Sequence, residues 1–220
     1  MKKKITFLIK KKINKFNTIT KVASDKSLSL RALMLASQCI GRSKITNLLD
    51  SEDIQSCIKA LKILGVKIVK NKNAHLIYGN GLNSYKFNKK ITKIYVGNSG
   101  TTTRLLSGLL STLPGKFYLY GDRSMNKRDM SRVINPLKKI GCFFYPKKKL
   151  TLPLTLSGTS LPLAQNHVEN LGSAQIKSLI LFSALSTPGI TTIKENKISR
   201  NHTELFLKKI NADIKIKKFK

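Results

Sequence analysis

Leu137-Lys138-Lys139-Ile140-Gly141 closes a run in which Met130, Val133, Ile134, Leu137 and Ile140 recur at helical spacing. Segments 142–145 and 152–156 follow it, with Lys147-Lys148-Lys149 between them. The pattern reads as a helix stopped by glycine and then a pair of strands joined by a basic turn. The same junction stands at Leu61-Lys62-Ile63-Leu64-Gly65, followed by strand-like 66–69 and its hairpin partner 75–79. It returns at Leu207-Lys208-Lys209-Ile210-Asn211, before a candidate first hairpin strand over 212–216. Three copies at this spacing share one core rather than stack as a solenoid of short repeats.

Upstream of each junction the order is also the same. In the first copy a polar start, Ser24-Asp25-Lys26-Ser27, opens a helix through Ser37 that Gly41 is expected to end. A strand over 45–49 follows, then Asp50 or Ser51 as cap for a helix carrying Ile54, Ile58, Leu61 and Leu64 on one face. The second copy gives a strand over 93–96, a helix over 100–110 and a strand over 116–121. The third gives a helix over 173–184, a strand over 190–193 and a helix over 203–210, with its last strand not in the sequence. The expected fold is an α/β (α+β) lobe of three helix–strand repeats about a pseudo-threefold axis. Its repeats fall at about 21–84, 85–158 and 159–220.

The chain has 220 residues, 41% of them hydrophobic, which is enough to bury a core. No run is long and apolar enough to cross a bilayer, and the basic start has too short an apolar part for a signal peptide. Three scattered cysteines, Cys39, Cys57 and Cys142, fit free thiols in a reducing compartment, so a soluble, cytoplasmic chain is expected. Three equally scattered histidines suggest no metal site. A formal charge of +32 would ordinarily point to nucleic acid. Here the cations are mostly lysines spread along the chain, with only seven arginines, so a solvated surface is the expectation and nucleic acid is not. A positive field still favours encounter with phosphorylated metabolites.

Each copy's first helix has a start suited to an anion. Gly97-Asn98-Ser99-Gly100-Thr101-Thr102-Thr103-Arg104 pairs two glycines with three hydroxyl-bearing threonines; Leu171-Gly172-Ser173-Ala174-Gln175 and Ser24-Asp25-Lys26-Ser27 are its counterparts. Any one of these is an ordinary cap as readily as an anion cradle. About a threefold axis, all three could face one cleft and sum their dipoles toward a polyanion. Lys26, Ser27 and Arg31 can then reach one ligand from a single helix, and Arg128 offers a bidentate guanidinium from the loop 121–128. Ser199-Arg200-Asn201-His202-Thr203-Glu204 is a capping-type start with an arginine beside it.

Together these blocks resemble the 5-enolpyruvylshikimate-3-phosphate (EPSP) synthase, or 3-phosphoshikimate 1-carboxyvinyltransferase, family. The resemblance rests on Asp25-Lys26-Ser27-Leu28-Ser29-Leu30-Arg31-Ala32, the block 97–104, Gly121-Asp122 through Lys127-Arg128, Ser173-Ala174-Gln175-Ile176-Lys177-Ser178, and 199–204, all in family order. It implies a two-lobed enolpyruvyl transferase of which this chain encodes the first lobe, over 21–220, with 1–20 a strand segment belonging to the second, absent lobe. It further implies that Lys26, Ser27 and Arg31 hold shikimate 3-phosphate, with Lys26 also touching phosphoenolpyruvate. Gly100 and Arg128 would bind phosphoenolpyruvate, Ser173, Ala174 and Gln175 the shikimate side, Gln175 reaching both substrates, and Arg200 the shikimate phosphate. No cofactor is implied, and the catalytic aspartate belongs to the absent lobe, so no catalytic residue is assigned here. A complementary chain supplying that lobe is an implied partner.

Two positions depart from the family pattern: Asp129 stands where the family has proline, and Asn201 where it has aspartate. An aspartate beside Arg128 is expected to weaken that arginine's hold on an anion. A non-catalytic remnant of the same fold is the alternative reading, with the related UDP-N-acetylglucosamine enolpyruvyl transferase and a nucleic-acid binder behind it.

Overall fold

The computed structural model describes residues 6–12, 15, 17, 19–20 and 22–217. The first unit runs α1 (Lys26–Gln38), β1 (Ile40–Thr46), α2 (Glu52–Ile63), β2 (Lys67–Asn71) and β3 (Ala74–Asn80). The second runs β4 (Thr92–Tyr95), α3 (Gly100–Leu110), β5 (Lys116–Tyr120), α4 (Ser131–Lys139), β6 (Phe143–Tyr145) and β7 (Leu154–Ser157). The third has β8 (Asn166–Glu169), α5 (Ala174–Ala184), β9 (Thr192–Glu195) and α6 (His202–Lys209).

The middle unit shows the repeat in its fullest form. Its sheet is ordered β4-β5-β7-β6, with β5 parallel to β4 and antiparallel to β7. The first sheet, β1-β3-β2, keeps the antiparallel half of that pattern, and the third, β8-β9, keeps the parallel half. The chain is thus an α/β lobe of three helix–strand repeats.

Helices fill the interior. In α3 every residue except Arg104 is buried, because the helix is surrounded by the other units. Its hydroxyls are satisfied locally: Ser99 caps the helix by accepting from the Thr102 N–H at 3.2 Å, and Thr103 Oγ1 donates to the Ser99 carbonyl at 2.9 Å. The closest approach of two first helices is at Gly108, where an added Cβ would fall 2.3 Å from the Leu179 carbonyl oxygen of α5. Only glycine lets the backbones meet so closely. Around this contact Leu105, Leu110, Leu179 and Phe182 are fully buried.

Several boundaries differ from the sequence expectations. The strand expected over 45–49 is Ile40–Thr46, and Gly41 lies inside it rather than ending the helix. Its residues are largely exposed and its place is set by pairing with β3, so hydrophobic alternation carried little signal. The strands expected over 152–156 and 190–193 each begin two residues later, at Leu154 and Thr192. No strand forms over 212–216, where Ile214 N–H instead turns back to the Ala212 carbonyl at 2.8 Å. Strand β8 carries no hydrophobic signature: its burial alternates, but the inward positions are His167 and Glu169 while Val168 is exposed. The N-terminal strand expected in 1–20 lies partly outside the described residues; the described ones there have no helix or strand.

Candidate functional site

The starts of α1, α3 and α5 open on one cleft. Lys26 begins α1, Gly100 and Thr101 begin α3, and Gln175 is the second residue of α5; all four line a cavity of about 570 Å³. Asn98, Arg104 and Arg128 complete one wall, and Ser51, Glu52 and Asp53 from the start of α2 form another. Four helix N-termini, three cationic side chains (Lys26, Arg104, Arg128) and two amides (Asn98, Gln175) make this a place for an anion, with Glu52 and Asp53 the opposing charges.

Each tip is shaped locally. Asp25 Oδ1 accepts from the Leu28 N–H at 2.7 Å and starts α1, leaving Lys26 on the first turn. Ser173 Oγ accepts from the Ile176 N–H and starts α5. At α3 the absence of a side chain on Gly100 is what leaves room for two guanidinium groups. An added Cβ would stand 2.7 Å from Arg104 Nη1 and 2.9 Å from Arg128 Nη1. Arg104 donates to Gln175 Oε1 at 2.9 Å, and Gln175 Nε2 donates to Thr101 Oγ1 at 2.8 Å, so the second and third units are laced together at the cleft floor. Of the three threonines only Thr101 lines the cleft; the hydroxyls of Thr102 and Thr103 bond to Ser99.

The electrostatics follow from this crowding. Burial lowers the pKa of Arg104, and repulsion from Arg128 and Arg132 lowers it further, with Asp129 opposing. A bound anion would relieve that repulsion. Arg128 is oriented by a hydrogen bond from Nη2 to Asn98 Oδ1. Asp129 does not pair with it: its carboxylate accepts from Ser131 N–H at 3.0 Å and Ser131 Oγ at 2.5 Å in a turn that leads into α4. A short local turn thus engages the Asp129 carboxylate, and among the described residues no ion pair joins it to Arg128.

A second cationic focus lies at Arg31. The side chain is 3% exposed and donates from Nε to Thr203 Oγ1 at 2.7 Å, from Nη1 to the Ser27 carbonyl at 3.0 Å and from Nη2 to Ser178 Oγ at 2.8 Å. It thereby joins α1, α5 and α6. Burial lowers its pKa, Arg200 lowers it further, and Glu204 and Asp25 oppose. Arg200 itself is exposed on the loop before α6.

Of the nine residues singled out in the sequence, Lys26, Gly100, Arg128 and Gln175 line the cleft. Ser27, Ser173 and Ala174 are their chain neighbours, while Arg31 and Arg200 form the separate focus near α6. Sequence reasoning did not assign Arg104 a role, although it closes the quoted block, nor did it find Glu52 and Asp53, which read as ordinary first-turn carboxylates of α2. Among the described residues no group of His, Cys, Asp or Glu is placed to hold a metal ion, and no helix is long and apolar enough to cross a membrane.

These features define a class: a triple-repeat α/β lobe whose first helices turn their N-termini and two crowded guanidinium groups toward an anion-accepting cleft. Residues 10–220 match the family model of EPSP synthase (3-phosphoshikimate 1-carboxyvinyltransferase), and the chain belongs to that family. It is 39% identical over 197 residues to the 3-phosphoshikimate 1-carboxyvinyltransferase of Lactococcus lactis subsp. cremoris (strain SK11), covering 89% of this chain and 45% of that protein. With the enzyme of the same name from Ruthia magnifica subsp. Calyptogena magnifica it shares 40% identity over 210 residues, covering 96% of this chain and 48% of the other. The solved EPSP synthase of Acinetobacter baumannii superposes with a TM-score of 0.83 at 33% identity, over 90% of this chain and 44% of that one. The chain spans about half the length of the curated relatives it matches.

Proposed function

We propose that this chain forms the first lobe of an EPSP synthase active site. In this reading it binds shikimate 3-phosphate and phosphoenolpyruvate, and a second lobe completes enolpyruvyl transfer between them. Residues 21–220 make up the lobe and 1–20 belong with the other. The observation that carries this reading is the convergence on Gly100 of Arg104 and Arg128, in a cleft shared with Lys26 and Gln175.

In this assignment Gly100 and Arg128 receive phosphoenolpyruvate, and Lys26 bridges it to the shikimate side. Ser27, Arg31, Ser173, Ala174 and Arg200 hold shikimate 3-phosphate, while Gln175 contacts both substrates. The shikimate hydroxyl gives up its proton as its oxygen adds to C2 of phosphoenolpyruvate and C3 gains a proton; loss of phosphate from C2 and of a proton from C3 then restores the double bond. The lobe's part is positioning and charge stabilisation: its cations hold two multiply charged substrates together, which lowers the entropic and electrostatic barriers to their reaction. The proton transfers fall to a carboxylate of the second lobe, supplied by a complementary chain or segment.

Calorimetric titration with shikimate 3-phosphate tests the reading. Saturable binding is expected, with no turnover by the 220-residue chain alone and turnover restored when the second half of a relative is added. Absence of binding at millimolar ligand would overturn it.

A further inference from the structure

The loop that leads to Ser173 and the start of α5 and the loop that carries Arg200 both leave the two-stranded sheet β8-β9, and each is folded by the carboxylate that ends its strand. Glu169 and Glu195 are register partners at the last positions of β8 and β9. Glu169 is buried; its Oε1 accepts from the N–H of Leu171 at 2.9 Å and of Ser173 at 3.4 Å, and lies 3.2 Å from Arg132 Nη2 of α4. Its Oε2 is 3.7 Å from His167 Nε2. Glu195 Oε1 accepts from Ser199 N–H at 3.1 Å and Ser199 Oγ at 2.5 Å, while Oε2 is 2.9 Å from Lys177 Nζ. Lys177, buried in α5, also reaches Glu204 of α6 at 2.5 Å. The loops are stitched to each other by Asn196, whose N–H donates to the Glu169 carbonyl at 3.0 Å and whose Nδ2 donates to Asn170 Oδ1 at 2.7 Å.

We propose that Glu169 and Glu195 are positioning residues that fix the two substrate loops of the third unit relative to each other. They set the start of α5 and the approach to Arg200 without touching ligand. The inference rests on the functional reading above, in which these loops meet shikimate 3-phosphate. A carboxylate suits the task because one oxygen can accept two donors from a bend that has no strand partner and still leave room for a counter-cation, on the same oxygen at Glu169 and on the other at Glu195. Burying such a charge is costly unless it is paired, and Arg132 and Lys177 supply the pairs. An apolar residue could fill the space beside Leu171 and Ser173, but it would leave their N–H groups without acceptors.

Glu169→Ala, Glu169→Gln and Arg132→Ala separate the backbone grip from the ion pair. Hydrogen exchange at Leu171 and Ser173 and the affinity for shikimate 3-phosphate are read in the 220-residue chain. Glu169→Ala is expected to speed exchange at both amides at least tenfold and to weaken binding at least tenfold. Glu169→Gln, which keeps an acceptor, restores binding to within threefold of wild type, and Arg132→Ala changes it less than threefold. Glu195→Ala weakens binding in the same way and speeds exchange at Ser199. If wild type binds and Glu169→Ala binds as well with unchanged exchange, the positioning role falls and the functional reading stands. If wild type does not bind, the functional reading itself falls and takes this role with it. Equal loss in Glu169→Gln and Glu169→Ala would overturn the backbone grip.

Discussion

Lys26 Nζ stands 2.5 Å from Asp53 Oδ2, tying the start of α1 to the start of α2 across the wall of the cleft. The lysine is half-exposed and the pair contributes about 0–1 kcal/mol. An incoming anion must compete with Asp53 for that cation. Asp53→Asn is therefore expected to tighten binding of shikimate 3-phosphate by up to about fivefold at low salt, as that energy range allows. The gain should shrink in 1 M salt, where screening weakens exposed pairs. Calorimetry at two ionic strengths measures both; weaker binding by the variant would show that Asp53 serves the ligand directly.

Gly100→Ala separates folding from binding. The atoms an added Cβ would meet are the ends of two flexible arginines, and the backbone there is not left-handed, so the fold can accommodate it. The expected change in stability is within about 1 kcal/mol, since alanine also favours a helix over glycine. Displacing one guanidinium removes a charge-assisted hydrogen bond to an anion, about 1.5–3 kcal/mol, or roughly tenfold or more in phosphoenolpyruvate affinity. A denaturation curve and a titration on the same sample report the two effects.

Gly108→Ala behaves in the opposite sense. There the added Cβ meets a carbonyl oxygen of the α5 backbone, which cannot rotate away. Overpacking of this kind costs about 1–3 kcal/mol. A lowered urea midpoint with an unchanged slope is the expected result, and a midpoint equal to wild type would contradict the contact.

Burial pushes the thiols of Cys57 and Cys142 up to about 12, only partly offset by hydrogen bonds with Thr102 and Ser111. Because the thiolate is the reactive form, neither should alkylate at pH 8 in the folded chain. Half-buried Cys39 should take the first iodoacetamide, and all three cysteines should react after denaturation. Mass spectrometry of the peptides reads this out.

Stability should fall in two stages on acidification. Burial keeps His167 below its ordinary pKa, with Lys139 adding to the effect and Glu169 opposing. The unfolded chain therefore takes up a proton near pH 6.5 before the fold does, and stability present above that pH declines below it. Glu195 is raised by burial but brought lower overall by hydrogen bonds from Ser199 and by Lys177; Asp129 is lowered by Ser131. Their contribution is full above the ordinary carboxylate range and is lost as pH drops through the folded values. Melting temperatures from pH 8 to 3 should show both stages, with His167→Gln reducing the first, to which His75, also lowered by burial and by Lys70, contributes as well, and Glu195→Gln trimming the second.

The repeat was legible because its signals are local. Helical spacing at Met130 to Ile140, the glycine stop at Gly141 and the capping serine at Ser99 each act within a turn or two of chain. The convergence of Lys26, Gly100 and Gln175 followed from the repeat itself, since equivalent helix starts in equivalent units face the same way, whereas Arg128 comes to the cleft from a loop and is oriented by Asn98. What stayed hidden depends on partners far away in sequence. The bonds from Arg31 to Thr203 and Ser178, more than a hundred residues away, left no trace in its own neighbourhood of sequence. Glu169, a lone acid before Asn170 and Leu171, gave no pattern that marked it as the hub of a loop. Strand β1, polar and exposed, owes its existence to β3.

The touching backbones at Gly108 and Leu179 bear on how the lobe evolves. Where side chains space two helices, every substitution in the gap changes the separation; here main chain rests on main chain, so the gauge between the α3 and α5 tips is independent of rotamer choice. Surrounding leucines can drift in size and shape while Thr101 and Gln175 stay within reach of one another, so long as position 108 never acquires a side chain.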